Sequence, residues 1–95
     1  MLFAVTCLDK PNHVDLRLST RAEHLAFLEK HAASVKLGGP FLDAAGEKPI
    51  GSLLILDCAD EAAARALLAN DPYARAGLFA NVELRPWKHV VGAAL

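Results

Sequence analysis

The chain moves between two rhythms of apolar and polar positions, one of period two and one of period three to four. Leu2 to Leu8 follows the first, with Phe3, Val5 and Cys7 on one face and Leu2, Ala4, Thr6 and Leu8 on the other. Both faces are mostly apolar, which predicts a central strand covered on both sides. Asp9-Lys10-Pro11-Asn12 ends it with turn chemistry. The longer rhythm then predicts a helix over about Thr20 to Val35, its apolar stripe formed by Leu18, Leu25, Leu28, Ala32 and Val35. Ser19 or Thr20 suits its N-cap, and Glu23 suits the positive end of its dipole.

Lys36 to Leu42 reads as a weaker strand broken by Gly38-Gly39-Pro40, glycines that mark a bulge or a close approach. Asp43 to Pro49 is a polar turn, and Ile50 to Cys58 is the strongest strand of the chain. Asp60 caps a second helix over Glu61 to Ala69, which Asn70-Asp71-Pro72 stops. Tyr73 to Gly77 adds a short turn. Leu78 to His89 is a last strand with Val82 and Leu84 on one face, and Pro86 sends it to a sheet edge. The order βαββαβ is that of a ferredoxin-like α+β domain, an antiparallel sheet with both helices on one face. Strands this apolar leave the other face in need of cover, and a second copy of the chain, a homodimer, is the expected cover.

Composition narrows the function. The 95 residues fit one domain over 1–95, and a 54% hydrophobic content with a formal net charge of −1 excludes disorder. Ten basic residues against eleven acidic ones leave no excess for phosphate neutralisation, so no nucleic-acid partner is expected. No apolar run approaches the ~20 residues of a membrane helix, and the N-terminus lacks the pattern of a signal peptide. Cys7 and Cys58 lie far apart and read as free thiols in a reducing, cytoplasmic setting. Zinc, dinucleotide and nucleophile-elbow signatures are absent from the sequence, so neither metal nor cofactor is expected.

Few residues then carry chemistry. His24, at the border of the first helix's stripe, is a candidate acid/base or a packed histidine. Asp71 is either a turn-former before Pro72 or the carboxylate that orients a histidine. His31 lies seven residues beyond His24, on nearly the same face. Arg17, Arg21 and Arg75 are candidates for anion binding, weaker because arginines at such places are usually solvated. Asp9 reads as part of the turn.

Asp9-Lys10-Pro11, Arg17-Leu18-Ser19 with Arg21 and His24, Gly39-Pro40, Asp71-Pro72-Tyr73 with Gly77, and Arg85-Pro86-Trp87-Lys88 occur in that order. Together they resemble the YciI (YCII-related) family of small bacterial proteins over nearly the whole chain. The resemblance implies a dimeric α+β barrel and an active site centred on His24 and Asp71. It places Arg17, Ser19, Gly39, Pro40 and Tyr73 in the same cleft and leaves His31 as a packing or surface residue. Ala22-Glu23 stands where many relatives have a proline, and the Asp43–Pro49 loop is short, so substrate size does not carry over. The function expected is isomerase- or lyase-type acid/base chemistry on a small organic molecule. A non-catalytic binding module and an accessory dimer are the alternatives.

Overall fold

The computed structural model describes residues 1–95. Its elements run β1 (Leu2–Asp9), α1 (Val14–Lys30), β2 (Val35–Leu42), β3 (Pro49–Asp57), α2 (Glu61–Ala69), α3 (Pro72–Arg75) and β4 (Phe79–Trp87). The four strands form one antiparallel sheet in the order β2-β3-β1-β4, the ferredoxin-like α+β arrangement that the alternation predicts. No helix is long and apolar enough to cross a membrane.

β1 is central because both of its faces tolerate burial. Phe3, Val5 and Cys7 are shielded from solvent and pack with Leu54, Leu56, Leu84 and Ala64 of α2, forming the core between sheet and helices. On the other face Ala4 lies opposite Ile55 and Arg85, and Thr6 opposite Leu53 and Glu83. No helix lies over this second face, and Leu8 and Leu37 remain exposed on it. β4 pairs only with β1, so Pro86 sits on an edge strand as its missing N–H requires.

Local chemistry accounts for the ends of the short helices. Asp60 accepts from the Ala63 backbone N–H at 2.8 Å and starts α2. Asp71 does the same for Tyr73 N–H at 2.9 Å and starts α3, with Pro72 in its first turn. Gly77, at a φ of 76°, closes α3 in a left-handed conformation that a β-carbon would disfavour. Gly38 and Gly51 answer to close approach instead. A β-carbon on Gly38 would collide with Leu54 Cδ2, and one on Gly51 with the carbonyl oxygen of Cys7. The register of β2 against β3 shifts between Val35 and Leu37, just before the Gly38-Gly39 pair.

The first helix departs from expectation at both ends. It begins at Val14, six residues before Thr20, and stops at Lys30, because Val35 is taken into β2 opposite Leu56. Its N-cap is therefore His13, and neither Ser19 nor Thr20 caps it. The face turned inward is polar: Arg17, Thr20 and His24 are its buried residues, whereas Leu18 and Leu25 of the expected apolar stripe are 54% and 44% exposed. Hydrophobic periodicity chose the wrong face of this helix. Its buried polar groups find long-range partners that no pattern within the helix reveals.

Candidate active site

One buried ion pair, one buried histidine–carboxylate contact and one aromatic ring lock α1 to the rest of the molecule. Arg17 and His24 stand seven residues apart on α1, about 10.5 Å along the helix axis. The Tyr73 ring fits between them. It stacks on the His24 imidazole at a centroid separation of 3.9 Å and an interplanar angle of 16°. The Arg17 guanidinium carbon lies 4.5 Å from the centre of the same ring. A ring covered this closely by an imidazole has no room for a guanidinium on the same face, so the two residues take opposite faces.

The charge of Arg17 is paired. Its Nε donates to Asp9 Oδ2 at 2.6 Å, and its Nη2 donates to Asp9 Oδ1 and to Ser52 Oγ, both at 2.9 Å. Both side chains of the pair are about 95% shielded, with relative exposures of 4% and 5%. Burial alone would disfavour the Arg17 charge. The hydrogen bonds and charge of Asp9 outweigh that cost, and the guanidinium pKa is pushed up. Asp9 thus has a structural task beyond ending a strand, and Ser52, which sequence reading passed over, joins it. The signals available were a carboxylate eight residues before an arginine and a lone hydroxyl on a strand otherwise apolar.

His24 is engaged at one nitrogen only. Its Nδ1 lies 2.8 Å from Asp71 Oδ1, which also accepts from Tyr73 N–H. A carboxylate accepts, so Nδ1 carries a proton, and in the neutral imidazole Nε2 presents its lone pair. No protein group bonds Nε2, and every fully occluded side-chain nitrogen or oxygen has a partner. The Nε2 atom therefore reaches the solvent-filled space in front of it. Asp71 both accepts from Tyr73 N–H in α3 and contacts the histidine. It is the N-cap of α3, rigid by construction.

That space is a cavity of about 360 Å³ bounded by α1, β2, β3 and Tyr73. Gly39 and Pro40 of β2 border it together with Arg17, His24 and Tyr73. Leu18, Leu25 and Leu28 form its apolar side, which explains why a stripe that looked like core is half open. Ser19 is the exception among the expected residues. It is exposed, its hydroxyl donates to Leu16 O at 3.0 Å, and at ~100° per residue it lies on the far side of α1 from Arg17 and His24. His31 does not join the site and packs against Phe27 at 4.5 Å between centroids.

Two further groups are neutral. Burial pushes the Tyr73 phenol up, and the nearby Arg17 and Arg21 charges only partly reverse this, so at neutral pH it is an O–H donor. Burial, aided by the charge of Asp71, pushes the Cys7 thiol up to about 12, which leaves it a packing residue and a poor nucleophile.

The family model of the YCII-related domain matches residues 1–88. The chain belongs to the YCII-related family. Among curated YCII-related proteins, the protein YciI of Escherichia coli is 32% identical over 97 residues, covering 95% of this chain and 99% of that one. Among solved structures, the 5-chloro-2-hydroxyhydroquinone dehydrochlorinase of Burkholderia phenoliruptrix, determined with 2,5-dihydroxybenzoquinone, is 35% identical with a TM-score of 0.89. It covers 95% of this chain and 96% of that one. An antibiotic biosynthesis monooxygenase, 19% identical with a TM-score of 0.55 over 96% of this chain and 100% of the other, shares the fold alone.

Proposed function

We propose that this YCII-related protein is an acid/base enzyme of lyase or isomerase type, acting on a small hydroxylated ring in the cavity beside His24. The observation that carries this reading is the buried His24 Nδ1–Asp71 Oδ1 contact of 2.8 Å, which leaves Nε2 open to a cavity of about 360 Å³. A histidine held by a carboxylate has a fixed tautomer, and its imidazolium form is stabilised once a proton arrives. In the elimination, Nε2 takes a proton from the substrate, the freed electron pair moves into the ring, and the leaving group departs with its bonding electrons. One HX is lost and no oxidant is needed. In an isomerisation, the same nitrogen returns the proton at another atom. The neutral Tyr73 hydroxyl, at the same cavity, is suited to donate to the oxygen on which charge develops. The substrate class is supported by the similar dehydrochlorinase, whose name and bound quinone denote a hydroxylated ring that loses HCl.

A second copy of the chain over the open sheet face belongs to the same reading. Leu8, Leu37 and Trp87 are 47%, 42% and 38% exposed, and they sit on strands whose opposite face packs on the helices. Cys7 and Cys58 are free thiols, which supports a cytoplasmic setting.

Chloride release from chlorinated hydroxyhydroquinones, followed for wild type and His24→Asn, tests the proposal. Turnover by the wild type and a loss of at least about 100-fold in His24→Asn are expected. Binding of these rings without turnover in the wild type would favour the binding-module reading instead. Equal rates in both proteins would remove His24 from the chemistry.

A further inference from the structure

Two guanidiniums border the cavity, and their circumstances differ. The charge of Arg17 is matched by Asp9 in a shielded two-bond pair, and its Nη2 also donates to Ser52. Arg21 is exposed and takes part in none of the side-chain hydrogen bonds or salt bridges of the molecule. It stands four residues after Arg17 and three before His24, one helical turn from each, so all three share a face of α1. No aspartate or glutamate borders the cavity. The Asp71 carboxylate lies behind the imidazole, turned toward Nδ1 and away from the open Nε2. The cavity therefore carries one uncompensated cation beside an apolar wall of leucines.

Such a charge is poorly screened on its apolar side, and the planar guanidinium offers paired N–H groups to an oxygen or to two oxygens in one plane. Its charge is also felt at the Tyr73 phenol, on the same side of the cavity as His24. Resting on the reading of this cavity as the place where His24 works, we infer that Arg21 is its anion-binding residue and that its ligands carry an ionised oxygen conjugated to the ring. Arg17, the more buried arginine, holds the wall together and Arg21 selects the ligand. The anionic oxygen is either a carboxylate or the ionised hydroxyl of an acidic enol or hydroxyquinone.

Isothermal titration of wild type, Arg21→Gln and Arg21→Lys with 2,5-dihydroxybenzoquinone, benzoate and neutral benzamide tests this. Arg21 is exposed, so the variants should keep their fold, which far-UV circular dichroism checks. The expected result is a roughly tenfold weaker binding of the anion by Arg21→Gln, with Arg21→Lys between it and wild type and benzamide unaffected. Added salt should weaken anion binding to wild type and leave Arg21→Gln nearly unchanged. Binding of the hydroxyquinone alone assigns an ionised hydroxyl, and binding of benzoate with the same dependence on Arg21 extends the assignment to carboxylates. Equal affinity of wild type and Arg21→Gln for the anions, or no binding of either anion to wild type, overturns the inference. Titration of His24→Asn separates the two readings. Binding that depends on Arg21 in a protein whose turnover ignores His24 leaves Arg21 standing and the acid/base role refuted. Loss of turnover in His24→Asn beside unchanged binding in Arg21→Gln does the reverse.

Discussion

At the scale of single residues, the site depends on one oxygen. Asp71 Oδ1 receives both the His24 imidazole at 2.8 Å and the Tyr73 backbone N–H at 2.9 Å, so a single atom sets the histidine tautomer and begins α3. Asp71→Asn keeps an acceptor for Tyr73 N–H and removes the charge that stabilises a protonated imidazole. Turnover is expected to fall at least about 100-fold with the fold retained, read by initial rates and by circular dichroism. Cys7 supplies a test of the core. Its folded thiol titrates at about 12 against an ordinary 9.0, so above pH 9.0 the unfolded chain releases a proton that the folded one retains. Stability from this group is complete below that pH and is lost as pH rises toward about 12. Urea unfolding across that window should show the decline, and Cys7→Ala should reduce its slope. A residual slope of the same sign is expected, because burial also pushes up the Tyr73 phenol and the Cys58 thiol.

At the scale of elements, α1 is the informative one. A helix that turns Arg17, Thr20 and His24 inward and leaves Leu18 and Leu25 half open gives up hydrophobic burial. Its orientation is held by charge pairing and ring stacking across the interior. Arg17→Met should therefore cost about 3–5 kcal/mol in urea unfolding, because it strands the Asp9 carboxylate in a shielded place. The double variant Arg17→Met with Asp9→Leu should regain much of that loss, since an apolar pair of similar volume carries no desolvation cost. A double variant as unstable as Arg17→Met alone would show that packing of the guanidinium against Tyr73, and not its charge pairing, holds the helix. Leu18 and Leu25 then belong to the cavity and its ligand.

At the scale of the whole molecule, the sheet has one face on the helices and one with no element over it. In the proposed homodimer, Leu37→Glu would bury a charge against the facing sheet. Sedimentation velocity should give twice the chain mass for wild type and the single-chain mass for Leu37→Glu, with the circular dichroism of the variant unchanged. A wild type that sediments as a single chain would refute the dimer. The element order, the central place of β1, the Asp60 cap and the edge position forced on β4 by Pro86 were all legible in the chain. Each depends on period, capping or a missing N–H, properties that a residue carries with its near neighbours. His24 and Asp71 were candidates from their residue types and neighbours, whereas Gly39, Pro40 and Tyr73 were reached through the resemblance of motifs, which also pointed to Ser19, a residue that the twist of α1 turns away from the cavity. The inward polar face of α1, the roles of Asp9 and Ser52, and the contrast between a spent Arg17 and a free Arg21 were not legible. These rest on contacts such as His24 to Asp71, 47 residues apart, and Arg17 to Ser52, 35 apart. Which face of a helix turns inward is settled by the free energy of all the contacts it makes. When charge pairs outweigh leucines, the local pattern points to the wrong face.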